Sequence, residues 1–223
     1  MQPFKYWLEQ INFIDRIKIQ SYQHEEAHNI ARTFFLKHTE YTHWLFLNDD
    51  VLIQPDIIKL LIRDDEENDF QIISGYCNWD FHRGWINATT KNLSNIRINV
   101  AEQYGFINIK DIFAGKYNFP FLKVYFEGLC GTLIRRDIIE KIPFKAYMHV
   151  NMTFWNGVFK DNKPKGMMFD LRFSNDCHKE GIPFIIDLRC FFMHGGNTIH
   201  LTDAVNIPKS CIFYGKDGTI RDF

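Results

Sequence analysis

Residues 44–47, Trp-Leu-Phe-Leu, form a continuous apolar run, and Asn48, Asp49 and Asp50 follow it directly. A run this short, bounded by polar residues, has the pattern of a strand covered on both faces. Two carboxylates at its end face a desolvation cost unless something neutralises them. The design recurs: residues 70–76 (Phe-Gln-Ile-Ile-Ser-Gly-Tyr) read as an apolar strand ended by Gly75, and 182–188 as another. Helical periods lie between the strands. From about His24 to Lys37 the apolar positions are Ala27, Ile30, Ala31, Phe34 and Phe35; after Pro55, which suits a first helical turn, they are Ile57, Ile58, Leu60 and Leu61. Apolar strands alternating with amphipathic helices predict an α/β layer fold with a mostly parallel central sheet. In such sheets ligands bind beyond the carboxyl ends of strands, so the residues that follow the strands are the ones to inspect.

Elsewhere the pattern is consistent with one domain over residues 1–223. Residues 13–20 alternate over Ile14–Ile19, the period of a half-buried strand. The segment 79–120 is rich in Asn, Gly and aromatics; it is too long for a structureless loop, and short strands with a mobile piece over a site are expected. Residues 122–136 read as a strand, a glycine-broken bend at Gly128 to Gly131 and a second strand. Asp137 then opens a short helix stopped by Pro143. Asp170 precedes a helix carrying Leu171, Phe173 and Cys177, with Gly181 as its C-cap. Residues 200–223 read as a tail of turns and short extended pieces.

Composition excludes several classes. Lys plus Arg number 26 against 27 Asp plus Glu, a net charge of −1, so no global basic field exists for nucleic acid or an anionic membrane. No apolar run approaches the roughly 20 residues of a membrane span, and the first ten residues lack the pattern of a secretory signal. The five cysteines, 77, 130, 177, 190 and 211, are odd in number and include no CxxC pair. This usage predicts reduced thiols and a cytoplasmic setting.

Three candidates for chemistry follow strands or open helices. The Asp49–Asp50 pair could bind a hard divalent cation, or could cap the helix near Pro55. His194, in Phe-Phe-Met-His-Gly-Gly, is a structural histidine or a ligand. Asp170 is a helix cap or a general base aimed into the crevice.

Their order, with the Glu127-Gly-Leu-Cys-Gly bend between them, resembles the GT-A glycosyltransferases in their family 2-like form, over roughly residues 27–196. Residues 31–62 resemble the block in which an Ala-Arg helix precedes a strand ending in the DxD motif; 124–142 are similar to the glycine-containing acceptor-side segment; 169–196 resemble the closing block with its Asp and terminal His. The resemblance implies a GT-A-like α/β/α sandwich whose N-terminal strand is shortened or missing, because only twelve residues precede the 13–20 strand. It implies Asp50 and His194 as ligands of Mn²⁺ or Mg²⁺, Asp170 as the base, and Arg32, Asn48 and Asp49 near the donor. Glu127, Gly128 and Trp79 fall on the acceptor side, with His82 and Trp85 nearby. The implied activity is transfer, with inversion, of a sugar from a UDP- or GDP-linked donor to a glycan, protein or lipid hydroxyl.

Two other readings compete. His24-Glu25-Glu26-Ala27-His28 satisfies HExxH, the signature of a zinc peptidase, although Ala31 and Phe34 replace the further residues of its extended form. A degenerate GT-A domain that binds a sugar nucleotide or a partner without turnover is the non-enzymatic alternative.

Overall fold

The structure is a computed structural model; it describes residues 11, 13–20, 24–48, 51–80, 82–93, 104–150, 165–194 and 210–222. Along the chain these residues form β1 (Arg16–Gln20), α1 (His24–Lys37), β2 (His43–Phe46), β3 (Val51–Leu52), α2 (Pro55–Asn68) and β4 (Ile72–Asp80). There follow β5 (Trp85–Ile86), β6 (Ala88–Thr89), α3 (Ile109–Phe113), β7 (Phe121–Val124), β8 (Phe126–Glu127) and β9 (Thr132–Arg135). The last elements are α4 (Arg136–Lys141), β10 (Met148–Val150), β11 (Lys165–Met167), α5 (Phe169–Lys179), β12 (Phe184–His194), β13 (Ser210–Tyr214) and β14 (Ile220–Asp222). The chain divides into two compact units, each discontinuous in sequence: residues 1–39, 144–169 and 197–223, and residues 40–143 and 170–196.

The first unit holds an antiparallel sheet in the order β1-β13-β14, the two-stranded β10-β11 and helix α1. The alternating residues of the first predicted strand therefore pair with the tail, not with the central sheet. On α1, His28 lies with its ring centroid 4.1 Å from that of Phe169 and 5.5 Å from that of Phe144.

The second unit is a mixed α/β structure around a seven-stranded sheet, ordered β2-β9-β4-β12-β3, with β5 on β4 and β7 on β12. The expected mostly parallel sheet is not what forms: among its pairings only β4–β12 is parallel. An apolar run reports that both faces are covered; it does not report the direction of the neighbours. β9 enters between β2 and β4 and runs against both, so β2, β4 and β12 nevertheless point the same way. β2 itself ends the strand order, with Phe46 buried and Trp44 and Leu45 half-buried; the Trp44 and Phe46 rings, two residues apart on one face, stack at 4.7 Å.

Two glycines let the sheet close. A Cβ at Gly75 would lie 2.3 Å from the Cys190 carbonyl oxygen and 2.3 Å from the Phe192 ring; one at Gly131, where φ is +79°, would lie 2.4 Å from both Ile53 and Phe192. Gly75 therefore does not end a strand, since β4 runs through it to Asp80. It makes room for the fully buried Phe192. β12 bulges between Ile186 and Phe191, where β4 advances only from Ser74 to Tyr76. The bulge carries Asp187 and Arg189. Asp187 is fully buried and Arg189 bonds it through Nε and Nη2, both at 2.9 Å, while Nη2 also reaches Asp64 of α2. Asp65, the next residue, bonds His43 Nε2 at 2.8 Å, so two acids on α2 tie the helix to β12 and β2.

Candidate active site

The common direction of β2, β4 and β12 brings their carboxyl ends to one edge of the sheet. Asn48 follows β2 there and is exposed. The bend 128–131 that leads into the reversed β9 belongs to the same edge, with the Gly131 N–H donating to the Phe46 carbonyl at 2.9 Å. Val51 N–H donates to the Asn48 carbonyl at 3.2 Å. Asp49 and Asp50 lie outside the described residues. Their neighbour Val51 pairs with His194 in the antiparallel β3–β12 register, so the backbone that leaves Asp50 runs opposite His194. Among the described residues no group of three or more His, Cys, Asp or Glu side chains could hold a metal ion.

Asp170 lies on α5 and Glu127 on β8, both in the second unit. Asp170, Ser174 and His178 recur every four residues along α5 and so share one helix face. Ser174 Oγ donates to the Tyr125 carbonyl, His178 Nε2 lies 2.7 Å from the same oxygen, and the His178 and Tyr125 rings stack at 4.1 Å. Tyr125 Oη also donates to Asn175 Oδ1 at 2.9 Å. These contacts fix the register of α5 against Tyr125, with Asp170 one turn before Ser174. At the helix start Asp170 Oδ1 accepts from the Leu171 N–H at 2.8 Å. That contact is a backbone bond at the helix terminus.

Glu127 is fully buried, and five donors reach it. Asn87 Nδ2 lies 2.6 Å and Cys130 N–H 3.2 Å from Oε1, with Cys130 Sγ at 3.7 Å; Leu129 N–H lies 2.9 Å and Thr132 Oγ1 2.6 Å from Oε2. Burial pushes the Glu127 carboxyl up to about 7; the bonds from Thr132, Cys130 and Leu129 oppose that rise, and the charge on Asp170 adds to it. Neutral donors return only part of the hydration that a carboxylate loses, so burial prevails.

Asn87 organises the cage. Its Oδ1 accepts from the Cys77 N–H at 2.9 Å and its carbonyl from the Gly128 N–H at 3.0 Å, while Nδ2 also lies 2.8 Å from Cys130 Sγ. Sequence reasoning passed over Asn87, Thr132 and Ser74. Asn87 sits in an Asn-Ala-Thr sequon, but its burial, like that of Thr89, makes it a structural amide instead of a glycosylation acceptor. No local pattern marks a short polar residue that will be enclosed by strands distant in sequence.

The remaining candidates are spread more widely. Trp79 lies on β4 near its carboxyl end, and Gly128 lies in the bend. Trp85, on β5, has the Arg83 guanidinium 4.7 Å above its ring, and His82 is exposed. Arg32 belongs to α1 of the first unit, as do Glu25 and His28. A cleft of about 730 Å³ in that unit is lined by Glu25, Glu26, Asn29, Thr33, Phe34 and His38, among others. It contains none of the residues that meet at the sheet edge. All five cysteines are unbridged and buried, and no helix among the described residues is long and apolar enough to cross a membrane.

No family model matches the sequence, and no curated protein does. Among solved structures the chain is similar to the crystal structure of A197 from STIV, at 19% identity and a TM-score of 0.46, over 88% of this chain and 73% of that one. A likeness so distant carries no inference about fold or activity.

Proposed function

We propose that the chain is a metal-dependent glycosyltransferase of GT-A type that moves a sugar from a nucleoside-diphosphate donor to an acceptor hydroxyl with inversion. One observation carries the reading: the carboxyl ends of β2, β4 and β12 share an edge at which residue 51 faces residue 194. Asp50 and His194 would hold Mn²⁺ or Mg²⁺, which when bound would neutralise charge growing on the diphosphate leaving group. Asn48 and Asp49 would face the donor. Asp170 removes the proton from the acceptor oxygen as that oxygen attacks, and general-base help of this kind is worth roughly 10²–10⁴ in rate. Because the base acts on the face opposite the leaving group, the product has inverted anomeric configuration. Glu127, Gly128 and Trp79 belong to the acceptor side.

Titration calorimetry with UDP and GDP, with and without Mn²⁺, tests donor binding; hydrolysis of the corresponding sugar nucleotides tests turnover. Asp170→Asn is expected to abolish turnover while leaving metal-dependent nucleotide binding nearly intact. A product of retained configuration contradicts the role of Asp170. Binding without turnover across the donors would identify a degenerate, non-catalytic domain.

A further inference from the structure

We propose that Cys77 and Cys130 form a modification site, at which a peroxide oxidises the two thiols to an intrachain disulfide that a dithiol reductant reopens. Both residues belong to the second unit, and their chemistry is independent of the transfer reading above.

Cys77 lies on β4 and Cys130 in the bend that leads into β9. They are 53 positions apart in sequence, yet their Sγ atoms lie 3.2 Å from each other. A disulfide bond is about 2.05 Å long, so the two sulfurs have only about 1.2 Å left to close. Hydrogen bonds hold both backbones in place: the Cys77 N–H donates to Asn87 Oδ1 at 2.9 Å, and the Cys130 N–H to Glu127 Oε1 at 3.2 Å. The entropy of bringing two distant cysteines together has thus been met by folding itself. Cys190, also buried, directs its thiol at Asp187 Oδ2 instead.

The surroundings of Cys130 suit a sulfur that reacts. Asn87 Nδ2 lies 2.8 Å from Cys130 Sγ, and Glu127 Oε1 lies 3.7 Å from it. A thiol accepts a hydrogen bond weakly and a thiolate strongly, so the amide favours the charge that develops as the proton leaves. The Glu127 carboxylate is placed to take that proton. The bond to Cys77, burial and the charge on Glu127 push the Cys130 thiol well up, so at rest it keeps its proton. Oxidation is therefore slow, and proximity, not acidity, selects the product.

The steps balance. Cys130 Sγ attacks one oxygen of hydrogen peroxide and the O–O bond breaks. The thiol proton passes by way of Glu127 to the departing hydroxide, leaving a sulfenic acid and water. Cys77 Sγ then attacks the Cys130 sulfur. The S–O bond breaks, the Cys77 proton joins the leaving hydroxyl as a second water, and the S–S bond forms. The two thiols lose two electrons and the peroxide gains them.

Trypsin leaves each cysteine in its own peptide, Cys77 in residues 64–83 and Cys130 in 124–135. The folded full chain is treated with hydrogen peroxide, denatured in an alkylating agent, digested without reductant and read by mass spectrometry. Peptides 64–83 and 124–135 should appear joined, two hydrogens lighter than their sum, and dithiothreitol should separate them. This pairing should exceed every other cysteine pairing by about tenfold or more. It should lose that lead when the peroxide is added in concentrated urea. Cys77→Ser should stop at a Cys130 sulfenic acid that dimedone traps. The oxidised chain should also unfold at higher urea than the reduced one, because the link closes a loop of 53 positions in the unfolded state. Recovery of the two peptides separate and alkylated overturns the site, even if Cys77→Ser does not fold. So does equal pairing in urea, or an unfolding midpoint lowered by oxidation, which would mean that the fold must distort to make the bond.

Discussion

Replacing Glu127 by glutamine tests the electrostatic account of the cage through stability alone. The ordinary carboxyl value of 4.5 becomes about 7 in the folded chain, chiefly through burial. Below 4.5 both folded and unfolded states hold the proton. Between 4.5 and about 7 the folded state holds it and the unfolded state does not, so stability falls as pH rises; above about 7 both are ionised and the loss is complete. At 1.36 kcal/mol per pH unit the total is about 3 kcal/mol. The substitution removes the titration but leaves an amide nitrogen among donors. Thr132 can turn to accept from it, while the Leu129 N–H, now facing another donor, loses its acceptor, a cost of about 1–3 kcal/mol. The variant should therefore be less stable than the native chain near pH 5 and equal to it or better near pH 8. Urea unfolding followed by circular dichroism across that range measures both curves, and their difference isolates Glu127 from every other titrating group. Parallel curves, offset by a constant at all pH values, would refute the reasoning.

Other substitutions probe the frame that holds the site. Gly131→Ala should cost about 2–3 kcal/mol or more in urea unfolding, because the new Cβ meets Phe192 and Ile53 at 2.4 Å and φ is positive. Gly115→Ala, also at positive φ but with nothing within 4 Å, should cost only about 1 kcal/mol. Arg189→Ala should destabilise by about 3 kcal/mol or more at neutral pH, since it strands Asp64 and Asp187. Burial would raise Asp187, but its bonds from Arg189 outweigh that and hold it below the ordinary range; burial and Asp187 together raise Asp64. Arg63→Ala, which removes a half-exposed partner 3.6 Å from Asp64, should change stability by less than about 1 kcal/mol, and equal losses for the two arginines would contradict this ranking.

Much of the element order is legible from local pattern. The helices at 24–37, 55–68 and 169–179 announce themselves by apolar period, by Pro55 and by Gly181, which adopts φ +74° after α5. The bend at 128–131 and the short helix before Pro143 are equally local. These features depend on residues within a few positions of one another, which is the range over which backbone preference and side-chain period act. Strand direction lies beyond that range. The run at 44–47 suggested a strand deep in a parallel sheet; it forms an end strand whose neighbour β9, almost ninety residues on, runs the opposite way. Gly75 looked like a terminator and is a clearance for Phe192.

The candidate site divides in the same manner. From sequence alone come the acids and the imidazole that follow strands or open helices, Asp50, Asp170 and His194, because residue type and position relative to an apolar run are local facts. Tertiary packing decided that Asn87, forty residues away, would join Thr132 in bonding Glu127, that Ser74 would bond Thr132 in turn, and that Ser174 and His178 would set α5 against Tyr125. A proton affinity depends on what surrounds the group in three dimensions, and those surroundings exist only once distant strands are hydrogen-bonded side by side.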